Sequence, residues 1–193
     1  MVSPTPQVSS SSEVSPPKYQ IVELDPDTKT KIKLYLFKNV QNVETIRDNI
    51  IQGVWECSAI KPRYIVDAFQ VAVAANKAVL DEKRDAMVTR SVYSEILYNL
   101  SPTKNISQSL MKFGISKDTN ILFCFLVTEE RDTSTEIIPK IEGEMCSMKE
   151  LFNFTSFEET KHVYKLNHMK EKCMERLLDL VVTKIATKSF VTH

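Results

Sequence analysis

The alternation of apolar and polar residues predicts a small sheet. Apolar side chains alternate with polar ones through 32–37, which is typical of a strand with one buried face. A similar strand is predicted at 19–24. The run 120–128 is apolar on both faces, so we expect it at the centre of the sheet. A weaker pattern predicts a fourth strand at 136–141.

Helical periodicity and capping signals predict the remaining elements. Asp67 and Asn105 are each followed three residues later by glutamine, which is the pattern of a capping box. The helix after Asp67 is apolar almost all round until Asp81, which indicates a helix buried inside the fold. Gly114 is expected to end its helix in a left-handed cap. The predicted helices cover 43–51, 67–80, 91–100, 105–113, 148–152, 157–164 and 168–189.

The order of these elements predicts one α+β domain over 19–193. An α-rich middle between two pairs of strands disfavours an open parallel sheet, so we expect a small, mostly antiparallel sheet packed with several helices. Residues 1–18 contain six serines and four of the eight prolines but no aromatic residue. A segment of that composition cannot bury enough surface to fold, so it is predicted to be a disordered tail.

The last predicted helix carries an unusually wide apolar stripe. Its apolar side chains cover an arc of about 200°, twice the ~100° that a surface helix needs. One interpretation is a helix packed in a deep groove. The other is a helix with one flank on its own domain and one on a partner, because exposed apolar flanks mark interfaces. The stripe consists of Met174, Leu177, Leu178, Val181, Val182 and Ile185, widened by Cys173 and Leu180.

Composition removes several functional classes. The 193 residues hold 25 basic and 25 acidic side chains, so the chain is not a broad polycation. With only three isolated glycines, it has no glycine-rich loop to cradle a phosphate. Three histidines and four widely spaced cysteines fit no metal motif, and no nucleophile–base pair is evident. We therefore expect no enzyme activity, no cofactor and no metal, and reduced cysteines. No stretch approaches the ~20 apolar residues of a membrane-spanning helix.

Several segments resemble one known family, the PRPK-binding protein (TPRKB) family of the KEOPS (EKC) complex. The similarity covers about 19–190, and its middle block keeps three short motifs in register. The segments are IVDAFQ at 65–70, VAANKA at 73–78, SEILYNLSP at 94–102, NIS at 105–107, KFGIS at 112–116 and YKL at 164–166.

The resemblance implies a regulatory role without catalysis. Members of this family bind and modulate the atypical kinase/ATPase subunit of KEOPS, which makes threonylcarbamoyladenosine in tRNA, and they meet the other subunits indirectly. Archaeal relatives help to recruit tRNA through its 3′ CCA end. The alternative is a kinase-regulatory adaptor without direct RNA binding. The resemblance also implies a location in cytoplasm and nucleus.

Two sets of residues are predicted to carry these contacts. Leu177, Leu180 and Val181 would be apolar anchors for the kinase, and Lys184 a charge contact beside them. Lys77, Lys104 and Asn105 interrupt or flank apolar segments and would contact the CCA end.

Overall fold

A five-stranded antiparallel sheet lies at the centre of the computed structural model, which describes residues 18–170 and 172–190. β2 pairs with β4 along one edge and with β1 and β5 in succession along the other. β4 lies between β2 and β3, so the prediction of a central strand is confirmed. The strands are β1 (Tyr19–Glu23), β2 (Lys31–Lys38), β3 (Ser58–Ile60), β4 (Ile121–Val127) and β5 (Glu144–Cys146).

Eight α-helices in the described part of the chain pack around this sheet, and the predicted α+β class is confirmed. None of the described helices is long and apolar enough to cross a lipid bilayer. The helices are α1 (Val43–Ile51), α2 (Ala68–Lys83), α3 (Val92–Leu100), α4 (Ile106–Phe113), α5 (Ser134–Ile137), α6 (Leu151–Phe154), α7 (Phe157–Val163) and α8 (Met174–Thr187).

Both faces of the sheet are buried, each in its own hydrophobic cluster. Leu34 and Leu36 of β2 point into the cluster that also contains residues of α2, α3 and α8. Tyr35 and Phe37 point the opposite way, into a cluster with residues of α1 and α5. Successive side chains of a strand face opposite sides, so each strand serves both clusters.

The predicted strand at 136–141 is wrong. This segment forms the end of α5 and a 3-10 turn, Ile138–Lys140, which has proline in its first turn. Ile137 and Ile141 are its buried residues, and their spacing of four is that of a helical turn. The sheet takes β3 and β5 as its remaining strands, each three residues long.

One further prediction needs correction at an element end, and another is not tested. The last helix begins at Met174 rather than at 168, because the chain turns at Lys165 (φ 54°) and then buries Leu166 and Met169 before the helix starts. The predicted tail lies outside the described residues except for Lys18, so its disorder stays a prediction.

The two predicted caps form, but neither shows the reciprocal bond of a capping box. Asp67 accepts from the Phe69 N–H at 2.8 Å, whereas the Gln70 side chain accepts from the Val66 N–H at 2.8 Å, one residue before the cap. At α4, the Asn105 side chain accepts from the Gln108 N–H at 2.9 Å.

Gly114 ends α4 for a steric reason. Its φ is −74°, so the predicted left-handed cap is wrong. A Cβ at this position would lie 2.6 Å from the carbonyl oxygen of Leu110, closer than real Cβ contacts come. Because glycine has no Cβ, the chain can pass close to the last turn of α4 as it leaves the helix.

We expect Gly114→Ala to lower the free energy of unfolding by about 1–3 kcal/mol, as for other overpacked sites. Chemical denaturation measures this change. Lys117→Ala, at an exposed position nearby, should stay within about 0.5 kcal/mol of the parent. Equal stability of Gly114→Ala and the parent would contradict the close contact.

Candidate functional site

The inner flank of α8 holds the helix on its own domain. Leu177, Val181 and Ile185 have no exposed surface and belong to the larger hydrophobic cluster, beside α2. Leu177 and Val181 are two of the predicted kinase anchors. Neither side chain can reach a partner unless the core opens.

A second apolar surface lies on the outer side of α8. We call it the outer flank, and it consists of Met174, Leu178, Val182 and Ala186, spaced four residues apart. At 100° per residue, Leu178 is rotated about 100° from Leu177. Met174 is 37% exposed, Ala186 is exposed, and Leu178 and Val182 are partly exposed. The wide stripe thus divides into one buried and one accessible side.

The opposite flank of α8 faces a cleft. Leu180 is partly buried against the core, and Lys184 is partly exposed and lines the cleft with Thr187. Leu180 and Lys184, the other two predicted kinase contacts, therefore lie on a different side of the helix from Leu178 and Val182.

The cleft is basic. It has a volume of about 700 Å³ and lies between the loop that follows α3, the body of α4, the turn that follows α7 and the end of α8. No aspartate or glutamate is among the described residues that line it. We call it the lysine cleft, after Lys112, Lys165, Lys184 and Lys188; His162 also lines it.

Two side chains from outside α3 satisfy the carbonyl groups at its C-terminal end, next to this cleft. The Tyr164 hydroxyl, just after α7, donates to the Leu100 carbonyl at 2.5 Å and accepts from Gln70 Nε2 at 3.0 Å. Lys188, just after α8, donates its Nζ to the Tyr98 carbonyl. Helix ends leave such carbonyls without partners inside the helix, and a cation there also complements the helix dipole.

Lys188 is the most unusual ionisable group of the cleft. It is only 5% exposed, and its Nζ lies 3.3 Å from the centre of the Tyr98 ring. The pKa of Lys188 is lowered to about 7, mainly by burial; the attraction of Glu95 opposes this shift, and the nearby Lys77 and Lys104 contribute to it. The amine therefore changes charge near neutral pH.

The residues predicted to contact RNA lie around this point, with different local roles. Lys77 forms an ion pair with Asp81 at 2.7 Å, and Asn105 accepts from the Gln108 N–H at 2.9 Å as the cap of α4. Lys77 and Lys104 both lie close enough to Lys188 to influence its charge. The structure therefore groups the two predicted lysines with Lys188.

No contact was predicted for Lys112 or Lys188 from the sequence patterns. The cleft takes its lysines from three segments that are far apart in the chain, so no local pattern could reveal it. Among the described residues, no group of three or more histidine, cysteine, aspartate or glutamate side chains could hold a metal ion. Burial raises the pKa of Cys57 to about 12, so its thiol stays protonated at neutral pH.

Several proteins that are similar to this chain are named as subunits of one complex. Residues 37–189 match the model of the family described as kinase binding protein CGI-121. The chain is 39% identical over 155 residues to the EKC/KEOPS complex subunit TPRKB of Danio rerio, covering 79% of this chain and 88% of that protein. It is 31% identical to the CGI121 subunit of Eremothecium gossypii (76% and 83% covered) and 28% identical to that of Candida glabrata (71% and 79%).

We expect Tyr164→Phe to destabilise the protein by about 1–3 kcal/mol, because the buried Leu100 carbonyl loses its donor and the Gln70 amide loses an acceptor. Thermal or chemical unfolding measures the effect. His162→Gln changes an exposed side chain at the same end of α7 and should have little effect. Unchanged stability of Tyr164→Phe would show that its hydroxyl does not support α3.

Proposed function

The chain belongs to the CGI-121 family of kinase binding proteins, and on that premise we propose that it is a non-catalytic subunit of an EKC/KEOPS complex. In this role it binds and modulates the atypical kinase/ATPase subunit, and so supports threonylcarbamoyladenosine modification of tRNA. It meets the other subunits through that kinase. We expect it to act in cytoplasm and nucleus.

The observation that carries the proposal is the outer flank of α8. Its four apolar residues continue the stripe that holds the helix on the core, yet they remain accessible. A contiguous apolar surface on a small protein is typical of an interface. Leu178 and Val182 are central in it and are the residues we expect to be most enclosed by a partner.

The flank of α8 that faces the lysine cleft extends the proposed kinase contact. Leu180 and Lys184 keep their predicted roles as an apolar and a charged contact, while Leu177 and Val181 support the surface from inside. A partner that covers both flanks would wrap around the helix. A partner that covers only the outer flank would leave the lysine cleft open.

A second candidate function, tRNA recruitment, is favoured by the lysine cleft. Four lysines without an acidic neighbour in the described lining suit the phosphates of a single-stranded RNA end. Met111, which is 70% exposed at the cleft, offers apolar surface to a base. Lys104 and Lys77, the latter paired with Asp81, lie near the Lys188 end of the cleft. The alternative is a kinase adaptor that does not bind RNA.

We expect the double variant Leu178→Glu, Val182→Glu to lose co-purification with the kinase subunit. Two charges on the outer flank would be desolvated in the interface, and truncated anchors already weaken binding by about 1–2 kcal/mol or more each. Binding of the purified pair is measured by calorimetry or pulldown, with unfolding curves to confirm that the variant folds.

Thr183→Glu is the control, since it adds one negative charge, half that of the double variant, at an exposed position of the same helix. Leu180→Glu tests the other flank separately. If the outer-flank variant binds the kinase as well as Thr183→Glu and the parent do, the outer flank is not the docking surface.

For the RNA candidate, we expect intact tRNA to bind more tightly than tRNA that lacks its terminal CCA, measured by gel shift. The plot of log K against log salt has a negative slope, and Lys165→Asn and Lys184→Met should each reduce the magnitude of that slope by about 0.7. Asparagine suits position 165, where φ is 54°.

Lys149→Met, at an exposed lysine outside the cleft, is the control and should keep the parent slope. Equal affinity for the two tRNAs would favour the adaptor without RNA binding.

A further inference from the structure

Lys188 links the lysine cleft to the interior of the protein. Its stem is enclosed between α8 and α3, and its Nζ lies over the Tyr98 ring and donates to the Tyr98 carbonyl. The same residue lines the cleft. An amine in this position can serve as the inner end of a binding site, because it is already oriented by two contacts.

The charged groups around Lys188 leave its ammonium only partly compensated. Glu95 of α3 is the acidic neighbour that favours the charged form. However, one oxygen of Glu95 already accepts from the Val88 N–H at 3.1 Å and from both the N–H and the hydroxyl of Thr89 at 2.7 Å. Its other oxygen is buried without a hydrogen-bond partner among the described residues.

Positive groups face Lys188 from the other elements. Lys77 on α2 and Lys104 before α4 both disfavour its charged form, and Lys184 lies one turn earlier on α8 and shares the cleft. The Tyr98 ring and carbonyl stabilise the cation locally. The described residues that line the cleft include no acidic side chain that could balance these positive charges.

We propose that the lysine cleft binds a phosphate-bearing ligand together with a proton, and that Lys188 takes up this proton. The inference deepens the RNA candidate and rests on the cleft being its binding site. The shared chemistry is a phosphate group, which an RNA end or a small anion could supply. An anion placed among the four lysines would replace the missing negative charge and favour the ammonium form of Lys188.

The direction of the pH dependence follows from this linkage. Because burial lowers the pKa of Lys188 to about 7, the amine is charged below that pH and neutral above it in the free protein. A bound anion raises that pKa. Affinity should therefore be highest below about pH 7 and should fall by up to about tenfold per pH unit above it.

Calorimetry on the full chain tests the proposal directly. The probe is a short RNA of adenosine and cytidine that ends in CCA, since its phosphates keep their charge between pH 6 and 8. Titrations in buffers with different ionisation enthalpies count the protons taken up. At pH 8 a group with a pKa about one unit lower is about nine-tenths neutral, so we expect uptake of up to about 0.9 proton per RNA bound. At pH 6 uptake should be small.

Three variants assign the proton. Lys188→Met should abolish the uptake and flatten the affinity against pH, while Lys188→Arg should keep the binding with no uptake, because arginine stays charged. Because His162 lines the cleft, the protons taken up per bound RNA are also counted for His162→Gln, and this number should match that of the parent. Proton uptake that persists in Lys188→Met, or that disappears in His162→Gln, would overturn the proposal.

A second probe separates this inference from the RNA function. Inorganic sulfate has a fixed charge and no base. If sulfate binds with proton uptake and RNA does not bind, the proposal stands and the RNA candidate fails. If RNA binds without proton uptake, the RNA candidate stands and the role of Lys188 is refuted. If neither probe binds at any pH, the anion site itself is refuted.

Discussion

The C-terminal end of α3 is a constraint on which the rest of this region depends. Buried carbonyl groups need donors. Besides the Ser101 N–H, which bonds to the Tyr98 carbonyl at 3.2 Å, this end of α3 uses donors from elsewhere in the protein. Tyr164 supplies one at the end of α7, and Lys188 supplies another at the end of α8. These two bonds hold together three segments that are far apart in sequence. Tyr164 and Lys188, which donate them, line the inner end of the lysine cleft.

This arrangement gives α8 three distinct sides. The buried side, with Leu177 and Val181, fixes the helix on the larger hydrophobic cluster. The outer flank around Leu178 offers apolar surface to a partner, and the remaining flank, with Lys184, faces the lysine cleft. Since one rigid helix carries both surfaces, kinase docking and anion binding would depend on the same buried contacts.

The long, regular patterns of the sequence were sufficient for most of the fold. Strand 120–128 was recognisable because it is apolar on both faces, and the width of the last helix's stripe indicated a helix with more than one packing side. The segment 136–141 misled because its isoleucines fit a strand, although Ile137 and Ile141 share the spacing of a helical turn. Strands of three residues, such as β3, are too short to show any period.

The site was harder to predict because its properties arise from tertiary packing. A lysine that follows a helix normally extends into solvent, and only the fold buries Lys188 against Tyr98. The most direct test of the central claim is hydrogen exchange of the full chain, measured by mass spectrometry with and without the purified kinase subunit. If the kinase docks on α8, amides of Met174–Thr187 gain protection on binding. Protection that appears elsewhere while this helix stays unchanged would contradict it.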